Sequence, residues 1–224
     1  MILYHGSKDI IDIPDRNKGK LHNDYGRGFY CTEELDLAKE WAVDEGRSGY
    51  ANSYQLDIDG LQILNLNSSE YSILHWLAIL LVNRTFDLHS DLSIQARRYL
   101  LDHFLPDYSG YDVIKGYRAD DSYFAYAQDF LNNGISLSTL SRAMRLGNLG
   151  EQVVLKSEQA FEKISFLDAE KVDAALWYPA KSRRDYEARN DYRAMRLVPW
   201  KRGEVYMLKI LEEEMKPDDV RIRY

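Results

Sequence analysis

The sequence predicts an α+β fold. Two observations carry this: short aromatic or β-branched runs bounded by glycine scatter along the chain, and between them lie segments with apolar residues at three- and four-residue spacing. A third is size: 224 residues, 45% of them hydrophobic, suit one domain with a full core. No repeat, linker or low-complexity run divides the chain.

Met1–His5 reads as the first strand, and a polar loop with Gly19 follows. Gly28–Thr32 reads as the second strand. Thr32 is expected to cap a helix carrying Leu35, Ala38, Trp41 and Ala42 on one face, with Glu33 and Glu34 in its first turn. Gly46 and Gly49 should end it. Residues 53–66, with Asp59-Gly60 between two apolar runs, predict a β-hairpin. Helices are expected over 69–83 and 91–104. Tyr111–Gly116 reads as a strand. Asp120 and Asp121 are expected to cap a helix to about Asn132, and another helix is expected over 136–146. Gln152–Lys156 reads as a strand, and Ser157 as the cap of a short helix. Residues 166–174 are mixed. A charged helix is expected over Tyr178–Arg196, starting near Pro179, and 203–213 fits helix or strand. The expected organisation is a single domain, 1–224, with a helical insert at about 69–146 and a charged helical extension at about 178–224.

Composition limits function. The formal net charge is −7, which weakens a general case for nucleic-acid or anionic-membrane binding. Residues 181–202 depart from this, with eight Lys/Arg against three Asp/Glu. That stretch reads first as a solvated helix face and second as an anion- or nucleic-acid-contacting patch. The single cysteine, Cys31, excludes an intramolecular disulfide and a Cys-based zinc site. His75, His89 and His103 have no ligand spacing, so no metal is expected. The most apolar window, residues 72–82, is too short to span a bilayer. With no basic, apolar leader at the start, a soluble cytoplasmic protein without membrane contact is predicted.

The motifs stand in a definite order: Tyr4-His5-Gly6-Ser7, then Gly26-Arg27-Gly28-Phe29-Tyr30, then a helix with Trp41, then YDVIKG (111–116), ADD (119–121) and EQVVLKSEQAF (151–161). Read alone, each has a plain structural explanation. His5 would be a hydrogen-bonded histidine, Trp41 a core residue and Glu151 a solvated strand residue. Together, across about residues 2–165, they resemble the His–Tyr–Glu class of ADP-ribosyltransferases, which includes diphtheria-type toxins and poly(ADP-ribose) polymerases. They resemble more closely a bacterial ADP-ribosyltransferase-like family of unknown function whose corresponding strand is centred on glutamine.

The resemblance implies a split β-sandwich with NAD in its cleft and the helical insert between the second and third motif strands. It also implies mono-ADP-ribosyl transfer by an intracellular toxin or defence effector, onto a protein or nucleic acid, with an antitoxin or immunity partner. NAD hydrolysis and a catalytically degenerate NAD- or nucleotide-binding module are the rival readings. The chemistry suits these residue types, because cleavage of the nicotinamide–ribose bond passes through an oxocarbenium-like state. Tyr30 and Trp41 would sandwich the cationic ring, and Gly6 would offer its backbone to the carboxamide. His5 would hold a ribose hydroxyl, and Ser7 would help bind the adenosine side. Arg27, next to Gly28, would meet the pyrophosphate. The acid is Glu151 on one alignment, while Gln152 takes the family's glutamine on the other. Adjacent strand residues face opposite ways, so only one can face NAD. If Gln152 faces in, Asp120 or Asp121 is the alternative acid.

Overall fold

The computed structural model describes residues 1–119, 121–146, 150–199 and 202–223. Seven strands form two sheets. In the first, the order is β1 (Ile2–Ser7), β3 (Gly49–Leu56) and β7 (Ile164–Val172), all antiparallel. In the second, the order is β2 (Phe29–Cys31), β6 (Glu151–Leu155), β5 (Val113–Tyr117) and β4 (Ile63–Asn65); only the β4–β5 pair is parallel. The α+β class is as predicted, but the expected hairpin over 53–66 does not form. β3 and β4 belong to different sheets, and the Asp59-Gly60 turn carries the chain from one to the other.

Alternation along β6 fixes the layers. Val153 and Leu155 face the first sheet and join a core with Leu3, Tyr54, Leu56, Phe29, Cys31 and Val113. Val154 faces the opposite way, into a larger core with Ile114, Trp76, Phe104 and Phe130. That second core is built by α2 (Ile73–Asn83), α3 (Asp91–Phe104), α4 (Asp121–Leu131) and α5 (Leu137–Ala143). α2 is buried from Ile73 to Leu81, as a helix apolar all round must be. His75 serves it as a cap: the Ser72 N–H donates to His75 Nδ1 at 2.9 Å. β5 lies between these helices in sequence yet pairs with both β4 and β6, so the 69–146 segment supplies an interior strand of the second sheet as well as helices.

α1 (Leu35–Ala42) lies on the outer face of the first sheet, where Ala38 and Ala42 pack with Ala51 and Val172. Its N-cap is Glu34 rather than Thr32; Thr32 is instead fully buried in a bridge to β1. Ser157 caps α6 (Glu158–Glu162), its side chain accepting from the Ala160 N–H, as predicted. The mixed 166–174 segment is mostly β7. The charged helix α7 (Ala174–Arg196) starts earlier than predicted, because Asp173 caps it and Pro179 is accommodated inside it. Residues 203–213 give α8 (Met207–Glu212). No described helix is long and apolar enough to cross a membrane.

Candidate functional site

The two sheets meet at one backbone bridge and then part. The Tyr4 N–H donates to the Thr32 carbonyl at 2.8 Å, and the Thr32 N–H returns to the Tyr4 carbonyl at 2.9 Å. Two residues on, where Gly6 would stand opposite Tyr30, the ladder does not continue. There His5 Nδ1 meets the Tyr30 carbonyl at 2.7 Å. A carbonyl only accepts, so Nδ1 carries the proton and the neutral ring leaves Nε2 as an acceptor. Burial lowers the His5 pKa against the opposing effect of that bond, which keeps the ring neutral. Phe29 packs on the imidazole at 4.6 Å between ring centres.

Ser7 stands apart from this opening in role. Its Oγ donates to the Asp9 carbonyl at 2.5 Å and accepts from Asn52 Nδ2 at 3.0 Å. Buried Asn52 also accepts from the Ile11 N–H, so Ser7 helps pin the loop after β1. Gly6 is required by packing. A Cβ there would sit 2.0 Å from the Ala38 carbonyl and 2.6 Å from the Ala42 nitrogen, so α1 lies directly on it. Its backbone groups point the same way as those of Tyr4, toward the opening, because alternate residues of β1 pair with β3.

Trp41 reaches this region from α1, but Tyr30 does not lie over it. The Arg118 guanidinium does, 4.9 Å from the ring centre. The Tyr30 ring faces the helical core, its hydroxyl donating to the Gly26 carbonyl at 2.6 Å and accepting from the Tyr25 N–H at 3.0 Å. Gly28 brings the same loop against β6, since a Cβ would meet the Leu155 carbonyl at 2.7 Å. Arg27 is exposed on that loop.

Gln152 and Glu151 part as strand neighbours must. Gln152 shares the Tyr30 face and is buried. Its Nε2 lies 3.5 Å from Asp24 Oδ2, and its Oε1 has no hydrogen-bond partner. Asp24, only 3% exposed, is the residue that sequence reasoning missed. Its Oδ2 accepts from the Ala119 N–H at 2.9 Å, while Arg84 stands 3.7 Å from Oδ1, beyond hydrogen-bonding reach. Burial pushes its pKa up to about 6, against the Ala119 N–H, Arg84, Arg118 and Gln152, which favour the charge. Asp24 sits in a loop before Gly26, where no periodicity marks a buried residue.

Glu151 faces the other way and lines an open cleft of about 770 Å³ with Thr32, Glu33, Glu40, Lys115 and Arg184. Lys115 Nζ lies 3.1 Å from its carboxylate and also contacts Glu33. Burial opposes the Lys115 charge, but these two carboxylates outweigh it and raise its pKa. Asp120 lies outside the described residues, as does the Asp121 side chain, so the alternative acids have no placement. No group of His, Cys, Asp and Glu suited to a metal occurs among the described residues.

The structure thus brings His5 to Tyr30 through a backbone carbonyl and sets Glu151 in a cleft. Trp41 lies under Arg118, Gln152 is buried beside Asp24, and Ser7, Arg27 and Gly28 take loop positions. A family model described as "Protein of unknown function (DUF3990)" matches residues 1–166. The chain belongs to the DUF3990 family. The DUF3990 match runs from β1 into β7 and so takes in every residue of this constellation, leaving α7 and α8 outside. No curated protein and no solved structure matches the chain.

Proposed function

We infer that the chain is an NAD-dependent mono-ADP-ribosyltransferase with NAD as substrate. The observation that carries this reading is the opening beyond the Tyr4–Thr32 bridge, where a neutral His5 presents Nε2 as an acceptor beside the Gly6 backbone. An acceptor of that kind suits a ribose hydroxyl, and a paired strand-edge N–H and C=O suits a carboxamide. Glu151 supplies negative charge in the adjoining cleft. In the reaction the bond from ribose C1′ to the nicotinamide nitrogen breaks and its electron pair leaves with nicotinamide. The acceptor nucleophile then bonds to C1′ and gives up its proton. Glu151 would stabilise the developing cation and polarise the neighbouring hydroxyl.

A second reading, an NAD-binding module without chemistry, draws support from two contacts. Arg118 occupies the Trp41 face that a cationic ring would use, and Lys115 holds the Glu151 carboxylate. Two measurements separate the readings. Millimolar NAD should raise the unfolding temperature of the protein, and His5→Ala should abolish the rise. Nicotinamide release from NAD, with cell lysate supplying acceptors, should then be lost in Glu151→Ala and persist in Gln152→Ala. A thermal shift without release leaves the binding module. No shift and no release sinks both readings.

A further inference from the structure

We propose that Arg118 is an autoinhibitory gate: its guanidinium occupies the face of Trp41 as an internal planar cation, and a cationic aromatic ring must displace it to stack there. The gate takes its ligand from the NAD reading, on which it rests, while the contact itself is seen directly. The guanidinium carbon lies 4.9 Å from the Trp41 ring centre, within the range over which the ring quadrupole attracts a cation. A guanidinium is flat, delocalised and weakly hydrated, as a pyridinium ring is. The occupant of Trp41 therefore states which ligand chemistry the face accepts. Trp41 Nε1, buried, has no acceptor among the described residues, so the resting arrangement leaves this ring incompletely satisfied.

The backbone that carries Arg118 is fixed on both sides. Before it, the Tyr117 carbonyl accepts from the Tyr25 hydroxyl at 2.7 Å and from Trp76 Nε1 at 3.1 Å. After it, the Ala119 N–H donates to Asp24 Oδ2 at 2.9 Å. Arg118 itself stands just past the end of β5 and is half-buried. Its long side chain can therefore leave Trp41 by changing rotamers alone, with no shift of the sheet. Its charge also acts on the carboxylates of Asp24 and Glu40, favouring their ionised forms. Glu40 precedes Trp41 on α1 and lines the Glu151 cleft, so the gate stands beside that cleft. Opening forfeits the cation–π attraction. A cationic ring restores it and a neutral ring does not, so the cationic ring opens the gate more readily.

The test is quenching of tryptophan fluorescence in the full chain by the N-methylnicotinamide cation, with neutral nicotinamide beside it. Each quencher is scaled to its effect on free N-acetyltryptophanamide, and Trp41→Phe in each background isolates the Trp41 signal. Arg118→Gln should raise quenching of Trp41 by the cation about 5-fold, the factor given by removing about 1 kcal/mol of competing attraction. The cation should outdo the neutral ring. Arg118→Lys, which keeps the charge without the plane, should give a smaller rise, and it carries the same test if circular dichroism shows that Arg118→Gln does not fold. An unchanged Trp41 signal in a folded variant overturns the gate. So does a rise that survives Trp41→Phe, or equal quenching by the neutral ring. Thermal shift with NAD keeps the two claims apart. If the cation gains access to Trp41 and NAD stabilises neither protein, the gate holds and the NAD reading falls. If NAD stabilises the parent and Arg118→Gln needs as much NAD as before, the NAD reading holds and the gate falls.

Discussion

Glu151 and Gln152 are adjacent on β6 and occupy opposite kinds of environment. Glu151 stands at the rim of an open cleft, its charge met by Lys115 and solvent. Gln152 is buried against Asp24, in a cluster where two oxygens, Asp24 Oδ1 and Gln152 Oε1, accept no hydrogen bond. Exposed ion pairs contribute little to stability, whereas buried polar groups are costly whenever a partner is lost. The rim residue is thus free to serve chemistry at small cost to the fold, while the buried pair is bound up with stability and with pH.

The largest expected effect tests the rim. Glu151→Ala should reduce nicotinamide release by about 1,000-fold, roughly 4 kcal/mol of transition-state stabilisation. Retention of most activity would remove Glu151 as the acid and with it the functional half of the contrast.

Next comes the buried acid. The folded-state pKa of Asp24, about 6, lies above its ordinary value of 3.8. Between these values the folded state holds more protons than the unfolded chain, so stability falls as pH rises across this window. The full penalty above it is about 3 kcal/mol. Most of it, about 2 kcal/mol, falls between pH 4 and pH 7, so urea unfolding of Asp24→Asn at these two pH values should show that much less loss of stability than the parent protein. His5 works in the opposite sense: its lowered pKa costs stability as pH falls below 6.5, so the difference between the two proteins isolates Asp24. An unchanged difference would mean that Asp24 is solvated or already paired.

Smaller still is Gln152→Leu. Without the Nε2 donor the Asp24 carboxylate is less supported, so the fall in stability with pH should deepen by about 1 kcal/mol. The same urea series measures it, and a shallower fall would show that Gln152 does not support the charge. The smallest effect returns to the rim: Glu151→Ala should change unfolding free energy at pH 7 by less than about 1 kcal/mol. A larger loss would show the Lys115 pair to be structural and would erase the contrast.

Much of this was legible in the sequence, because periodicity reports which residues are buried. The strands at 2–7, 113–117 and 151–155, the helices over 73–83 and 91–104, and the Ser157 cap follow from spacing and capping chemistry. The opposed faces of Glu151 and Gln152 follow from the two-residue repeat of a strand. The hairpin failed because a turn signal fixes a local reversal and not the partner beyond it; β4 found β5, and the apolar faces of both sheets decided the exchange. Thr32 has the chemistry of a cap, yet the sheets use its backbone as their bridge.

What the sequence determined by itself is therefore local: which segments become strands and helices, which residues alternate inward, and where positive charge gathers along 181–202. What only the tertiary structure decided is which polar groups meet. Asp24 against Ala119 and Gln152, His5 against the Tyr30 carbonyl, and Arg118 over Trp41 join residues 25 to 128 positions apart. No local propensity encodes such pairs. They exist because burying the apolar faces of the sheets and helices leaves these polar groups facing one another, with Asp24 and Gln152 out of reach of water.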